Sequence, residues 1–154
     1  MNIARLLIEN ILKFWEYEQL IYLGSEGKVL RTNVEIEMKA RSLATGLKKL
    51  GIAKGDVVGV CVSNIPEVPE IMNGIMRAGF VFLPIIFALT PTEIWHIIED
   101  SNCKLVITEE KLWEKIKEST RGSSAAKRFI VIGTVKEPNI IPYDYLLKEI
   151  DLVK

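Results

Sequence analysis

The sequence is short of the residues that carry most protein chemistry. It holds one histidine and two cysteines in 154 residues. Histidine is the commonest general base and, with cysteine, the usual zinc ligand, so His96 alone leaves no Cys/His metal cluster to assemble. Cys61 and Cys103 do not make a disulfide framework. Each sits in or beside an apolar run, where cysteine acts as a small core residue. Charge of one sign is also missing. Twenty basic residues balance twenty acidic ones, for a formal net charge of zero. That excludes the basic footprint of a nucleic-acid binder, and Trp15, Trp95 and Trp113 lie in no basic groove that could stack bases. Long apolar runs are absent as well. The longest, Ala78 to Leu89, falls short of the ~20 residues that a bilayer requires, and it contains Pro84. Arg5 and Glu9 break the first apolar stretch, so no signal peptide is expected there. The expectation is a cytoplasmic protein with no membrane span.

What the chain does have is apolar content. Hydrophobic residues make up 49% of it, and the mean hydropathy is +0.21. The length suits one domain with a real core. For a domain of that size this composition predicts apolar faces meant to be covered by something else.

Ile3, Leu6, Leu7, Ile11, Phe14 and Trp15 recur at helical spacing and predict an amphipathic first helix. Leu20–Leu23 and Val29–Arg31 predict a hairpin around Gly24, Gly27 and Lys28. Thr32 and Glu35 have the spacing of a capping box, and the helix they start runs through Ile36, Leu43, Leu47 and Leu50 to a left-handed Gly51. Val57–Val62 is apolar on both faces, as strands are when helices cover both sides of a parallel sheet. A helix then begins between Asn64 and Pro69 and runs to Gly79. Val81–Leu83 predicts a second buried strand, stopped by Pro84. Thr90 and Glu93 form another capping box, with Pro91 at the first helical position. That helix ends near Asp100. Leu105–Thr108 is a third strand, and Glu109 and Glu110 are expected to open the next helix. Thr120–Lys127 has linker composition, Phe129–Ile132 is a fourth strand, and a loop with Pro138 and Pro142 precedes the last segment. Strand and helix alternate with short connections. The fold class expected is therefore α/β, a partial parallel sheet with helices on both faces and right-handed crossovers.

Candidate chemistry is thin. His96 stands beside Ile97 and Ile98 with no acidic or thiol partner in sequence, whereas a working base needs an oriented partner. Gly122–Lys127 has the composition of a phosphate loop but not the Gly-x-x-x-x-Gly-Lys-Ser/Thr spacing, and it precedes a strand where such a loop should follow one. Gly24–Lys28 fails in the same way and is a turn. Phe80–Leu89 could present an apolar surface to a membrane or an acyl chain; the competing reading is a buried strand with its exit loop.

From Thr32 to Thr108, several segments in order resemble one family. Thr32-Asn33-Val34-Glu35-Ile36 stands where that family has Ser/Thr-Tyr-x-Glu-Leu. Leu50-Gly51-Ile52-Ala53-Lys54-Gly55-Asp56-Val57-Val58 is similar to its Leu-Gly-Val-x-x-Gly-Asp-Arg-Val. Val62-Ser63-Asn64-Ile65-Pro66-Glu67 resembles its Asn-x-x-Glu helix entry. Arg77-Ala78-Gly79-Phe80-Val81-Phe82-Leu83-Pro84 is similar to its Lys-Ala-Gly-Ala-x-x-x-Pro, and Thr90-Pro91-Thr92-Glu93-Ile94 and His96–Ser101 follow in the same order. None is specific alone; six in order are. The family is the adenylate-forming (AMP-dependent synthetase/ligase) superfamily, and by overall texture the chain is most like an acyl-CoA synthetase of fatty-acid type. Asn33 departs from the usual aromatic, and Ile86 and Phe87 replace an Asn-Pro.

The resemblance implies an N-terminal subdomain, incomplete over 1–154, of an enzyme that activates an acid with ATP and passes it to CoA. It also implies use of ATP, magnesium and CoA by the whole family. The family's Thr-Ser-Gly-Thr-Thr-Gly-x-Pro-Lys-Gly loop, its adenine and ribose motifs, its magnesium carboxylate and its catalytic lysine lie downstream of the matching region. So no catalytic, cofactor-binding or metal residue is assigned to this chain, and no cofactor is expected within it. Two expectations follow. One is a scaffold portion of a ligase, inactive alone, either a truncated product or one half of a split enzyme whose partner, a separate chain, carries the remaining synthetase domains. The other is a non-catalytic binding module derived from the same fold.

Overall fold

The computed structural model describes residues 3–148. Residues 1–2 and 149–154 of the expected unit lie outside them. The first helix, α1 (Arg5–Phe14), leads into an antiparallel hairpin of β1 (Glu18–Gly24) and β2 (Gly27–Thr32), longer at both ends than its apolar residues suggested. α2 (Asn33–Lys49) starts at the expected capping box: Thr32 Oγ1 accepts the Glu35 N–H at 3.1 Å, and the Glu35 carboxylate accepts the Thr32 N–H at 2.8 Å. Gly51 follows with φ 72°, the left-handed turn that its position required.

The main sheet comprises β3 (Val57–Cys61), β4 (Val81–Pro84), β5 (Leu105–Glu109), β6 (Arg128–Ile132) and β7 (Ile140–Pro142). Every neighbouring pair is parallel, in the order β4-β3-β5-β6-β7. The connecting helices are α3 (Val68–Ala78), α4 (Pro91–Asp100) and α5 (Trp113–Ser119), with α6 (Tyr143–Leu147) after β7. The expected α/β class with a parallel sheet is the one observed.

Period-two alternation divides the core into two layers. Val58 and Val60 of β3, with Leu105 and Ile107 of β5, pack with Leu43 and Leu47 of α2, Ile71 and Ile75 of α3 and Leu146 of α6. Cys61 and Val106 face the other way, onto Ile94 and Ile98 of α4 and Trp113 and Ile116 of α5. Both faces of the sheet are thus covered. Full burial of an Ile or Leu side chain contributes about 1.5–3 kcal/mol, so these two layers account for the persistence of the sheet.

Four local expectations change. β4 is not a doubly buried strand. It is the outer strand of the sheet and Pro84 belongs to it; Val81 is 48% exposed, and Ile86 and Phe87 beyond it are 64% and 41% exposed. Proline is tolerated on an edge, where one outward N–H is dispensable. β7 forms within the segment expected to be a loop, again with a proline at the sheet's edge. Glu109 ends β5 rather than opening a helix; a 3₁₀ turn at Glu110–Leu112 intervenes before α5. Finally, the supposed linker is packed, with Ser123, Ala125 and Ala126 all buried.

Candidate functional site

The chain passes from β3 outward to β4 and then returns to β5 on the other side of β3. In open α/β sheets the carboxyl ends of the strands flanking such a reversal form the usual ligand crevice. Here that crevice holds about 560 Å³ and is lined by Ile65, Glu67, Glu109, Glu110, Lys111, Ile132 and Gly133. β5 carries Glu109 to its rim, 8% exposed. Its carboxylate accepts the Ser63 N–H, just beyond β3, at 2.5 Å, and Lys111 Nζ lies 3.3 Å from it. Lys111 also donates to Ser63 Oγ at 2.8 Å. Glu110 accepts the Thr134 N–H at 2.8 Å. The crevice therefore ties together the loops after β3, β5 and β6.

Chemically, Glu109, Glu110 and Lys111 are engaged within the crevice, and Glu67 also lines it. Both carboxylates on β5 and its following turn are spent on backbone donors, and the Lys111 ammonium is shared between Glu109 and Ser63. Beneath them Cys61 is fully buried; burial pushes its thiol up to about 11, away from the thiolate that a nucleophile needs. Thr108 Oγ1 donates to the Cys61 carbonyl at 2.7 Å. Burial likewise raises the Cys103 thiol. Among the described residues no group of three or more His, Cys, Asp or Glu side chains could hold a metal ion.

His96 does not join the crevice. It is exposed on α4 with its ring edge-on to Trp95, centroids 5.0 Å apart. The Gly122–Lys127 segment lies before β6, at the opposite end of that strand from the crevice. Gly24 and Gly27 form the tip of the β1–β2 hairpin, as expected of a turn.

Sequence reasoning missed a second polar cluster, in the seam between α2, α3 and α6. Glu37, 5% exposed, pairs with Arg77 and, at 3.4 Å, with Arg41. Glu70, 1% exposed, accepts the Tyr143 hydroxyl at 2.7 Å and lies 3.4 Å from Lys39 Nζ. Burial raises the Glu70 carboxyl above its ordinary value, and burial next to Glu70 raises the Tyr143 phenol. The i, i+4 spacing of Glu37 and Arg41 was a visible signal. The partners across the seam were not, because they come from helices 30 or more residues away in sequence.

The apolar surface lies elsewhere. α1 and α3 frame an open groove of about 400 Å³ that includes Ile3, Leu6, Met72 and Met76. Leu12, Trp15 and Leu23 are each more than three-quarters exposed. No helix among the described residues is long and apolar enough to cross a membrane.

Comparison with known proteins adds to this geometry. The family described as AMP-binding enzyme matches residues 16–144. A 4-coumarate–CoA ligase of Humulus lupulus is 31% identical over 138 residues, covering 90% of this chain and 25% of that ligase. Among solved structures, an anthranilate CoA ligase in complex with anthranoyl-AMP superposes with a TM-score of 0.83 at 19% identity, covering 96% of this chain and 28% of the other. The coronafacic acid ligase of Pectobacterium brasiliense gives 0.85 at 20%, covering 96% and 29%. The fold is thus that of a segment of these ligases, and the chain spans about a quarter of the length of each of the three.

Proposed function

The chain belongs to the AMP-binding enzyme family, and from that premise we propose that it supplies the front scaffold of an adenylate-forming acid–CoA ligase. In that reading the complete enzyme joins a carboxylic acid to AMP at the expense of ATP, and CoA then displaces AMP. The residues described here hold the sheet and its crevice; the sites for ATP, magnesium and CoA belong to the remaining synthetase domains, on the same polypeptide or on a partner chain. The observation that carries the proposal is the family match over 16–144, joined to a crevice in which Glu109, Glu110 and Lys111 are bonded to the loops around them. A cytoplasmic setting goes with it, since the substrates of such a ligase are met there.

The acid is proposed at two levels. The coarser reading is a carboxylic acid carried as its CoA thioester. The finer one, a fatty acid, rests on the overall texture of the sequence. An aromatic acid competes with it, supported by the 4-coumarate and anthranilate ligases among the similar proteins.

The test replaces the front segment of a 4-coumarate–CoA ligase with this chain and follows acid-dependent ATP–pyrophosphate exchange over a panel of fatty and aromatic acids. Exchange by the chimera supports the scaffold reading, and the preferred acid shows whether this segment biases the choice. A folded, monodisperse chimera that binds no ATP and exchanges with no acid would overturn it. The weight would then move to a binding module, for which the exposed apolar groove of α1 and α3 is the supporting observation.

A further inference from the structure

The segment with the composition of a phosphate loop holds an anion after all, and the anion is the protein's own. Glu99, at the end of α4, directs its carboxylate into the turn that precedes β6. Oε1 accepts the Ser123 hydroxyl, the Ser124 N–H at 3.1 Å and the Ala125 N–H at 3.3 Å; Oε2 accepts the Ser124 hydroxyl at 2.8 Å. Four donors from three consecutive residues thus converge on one carboxylate. The turn itself is braced. Ser123 Oγ accepts the Ala125 and Ala126 N–H groups, each at 3.2 Å, and the Ser123 N–H donates to the Thr120 carbonyl at 2.9 Å. Lys127 Nζ donates to the Ser123 carbonyl, so a cation stands on the other side of the same turn. Ser123 is 3% exposed, and Ala125 and Ala126 are buried, so the donors are held in place by packing.

Successive backbone N–H groups with adjacent hydroxyls are the chemistry of an oxyanion receptor, indifferent to whether the oxygens belong to a carboxylate or a phosphate. An open pocket of about 320 Å³ adjoins it, lined by Ser124, Ala125, Lys104, Lys127, Arg128 and Asp56 among others. It gives a solvent anion a route to the turn past three cations.

We propose that the Ser123–Ala125 turn is an oxyanion receptor kept closed by the carboxylate of Glu99, and that it accepts inorganic phosphate when that carboxylate is removed. The same donors that make the composition resemble a phosphate loop are consumed in anchoring the end of α4 to the start of β6. Hydrogen bonding from these serines holds the Glu99 carboxyl below its ordinary value, as expected for a charged occupant. The inference is independent of the ligase reading, because it concerns a turn away from the crevice.

The experiment compares the full chain with Glu99→Ala by thermal denaturation in potassium phosphate and in potassium chloride at equal ionic strength. Phosphate stabilises folded proteins generally relative to chloride, so the readout is the excess: its rise in the variant's midpoint should exceed the rise in the wild type, whose receptor is occupied, by at least about 2 °C. Amide signals of Ser124 and Ala125 in the variant should titrate with phosphate and stay unmoved in the wild type. No phosphate-specific rise in the variant, or an equal rise in both proteins, would overturn the proposal. If Glu99→Ala is unfolded in chloride, the readout is whether phosphate restores a folding transition. Restoration supports the receptor, and an unfolded chain in both salts contradicts it.

Discussion

Gly79 ends α3 with φ at 87°, and a Cβ built there would sit 3.2 Å from Lys54 Cγ. A β-branched residue would meet both the left-handed backbone and that contact. Gly79→Val should therefore cost about 1–3 kcal/mol. His96→Ala, at an exposed site, should stay within about 0.5 kcal/mol. Urea midpoints of the two variants check this, and a larger loss for His96→Ala would contradict it. Glu70 sets a different dependence. Because burial raises its carboxyl above 4.5, the folded chain holds the Glu70 proton to higher pH than the unfolded chain does. Stability contributed by this group is then greatest at low pH and falls as pH rises from about 4.5 through the raised value. Glu99, Glu93 and Glu137 have lowered carboxyls and act in the opposite sense. The comparison that isolates Glu70 is wild type against Glu70→Gln. The variant should gain on the wild type as pH rises above about 4.5. A gap that is flat with pH would show that Glu70 is not perturbed.

At the scale of elements, local chemistry predicted what is local. The two capping boxes need only a threonine and a glutamate three residues apart, and both form with both hydrogen bonds. Thr90→Ala should cost about 1 kcal/mol, whereas Thr92→Ala in the exposed first turn of α4 should cost under about 0.5. Chemical denaturation distinguishes them, and equal effects would mean that the cap is energetically idle. The sequence places the start of α3 only between Asn64 and Pro69, since Pro66 and Pro69 both disfavour a helical interior; it begins at Val68, with Pro69 in the first turn where its missing N–H is harmless. β4 differs from its expectation because its composition matches a central strand. Whether a strand is covered depends on its neighbour across the sheet, and no residue within Val81–Leu83 encodes that. Glu109 departs from its expectation for a similar reason, since its partner Ser63 lies 46 residues away.

At the scale of the molecule, the parallel sheet was legible because the alternation of apolar strands with capped helices repeats along the chain. The crevice was not. It gathers Ser63, Glu109, Lys111 and Gly133 from the ends of three strands and the turns after them, and the order β3-β5-β6 brings these to one end of the sheet. In that assembly Glu109, Glu110 and Lys111 hold the surrounding loops together. The central claim is that this chain supplies structure to a ligase and no chemistry by itself. The direct measurement is ATP–pyrophosphate exchange by the purified chain, with magnesium and a panel of fatty and aromatic acids. Exchange should stay at the level of the buffer alone for every acid. Acid-dependent exchange that copurifies with the folded chain, and is lost when it is denatured, would contradict it.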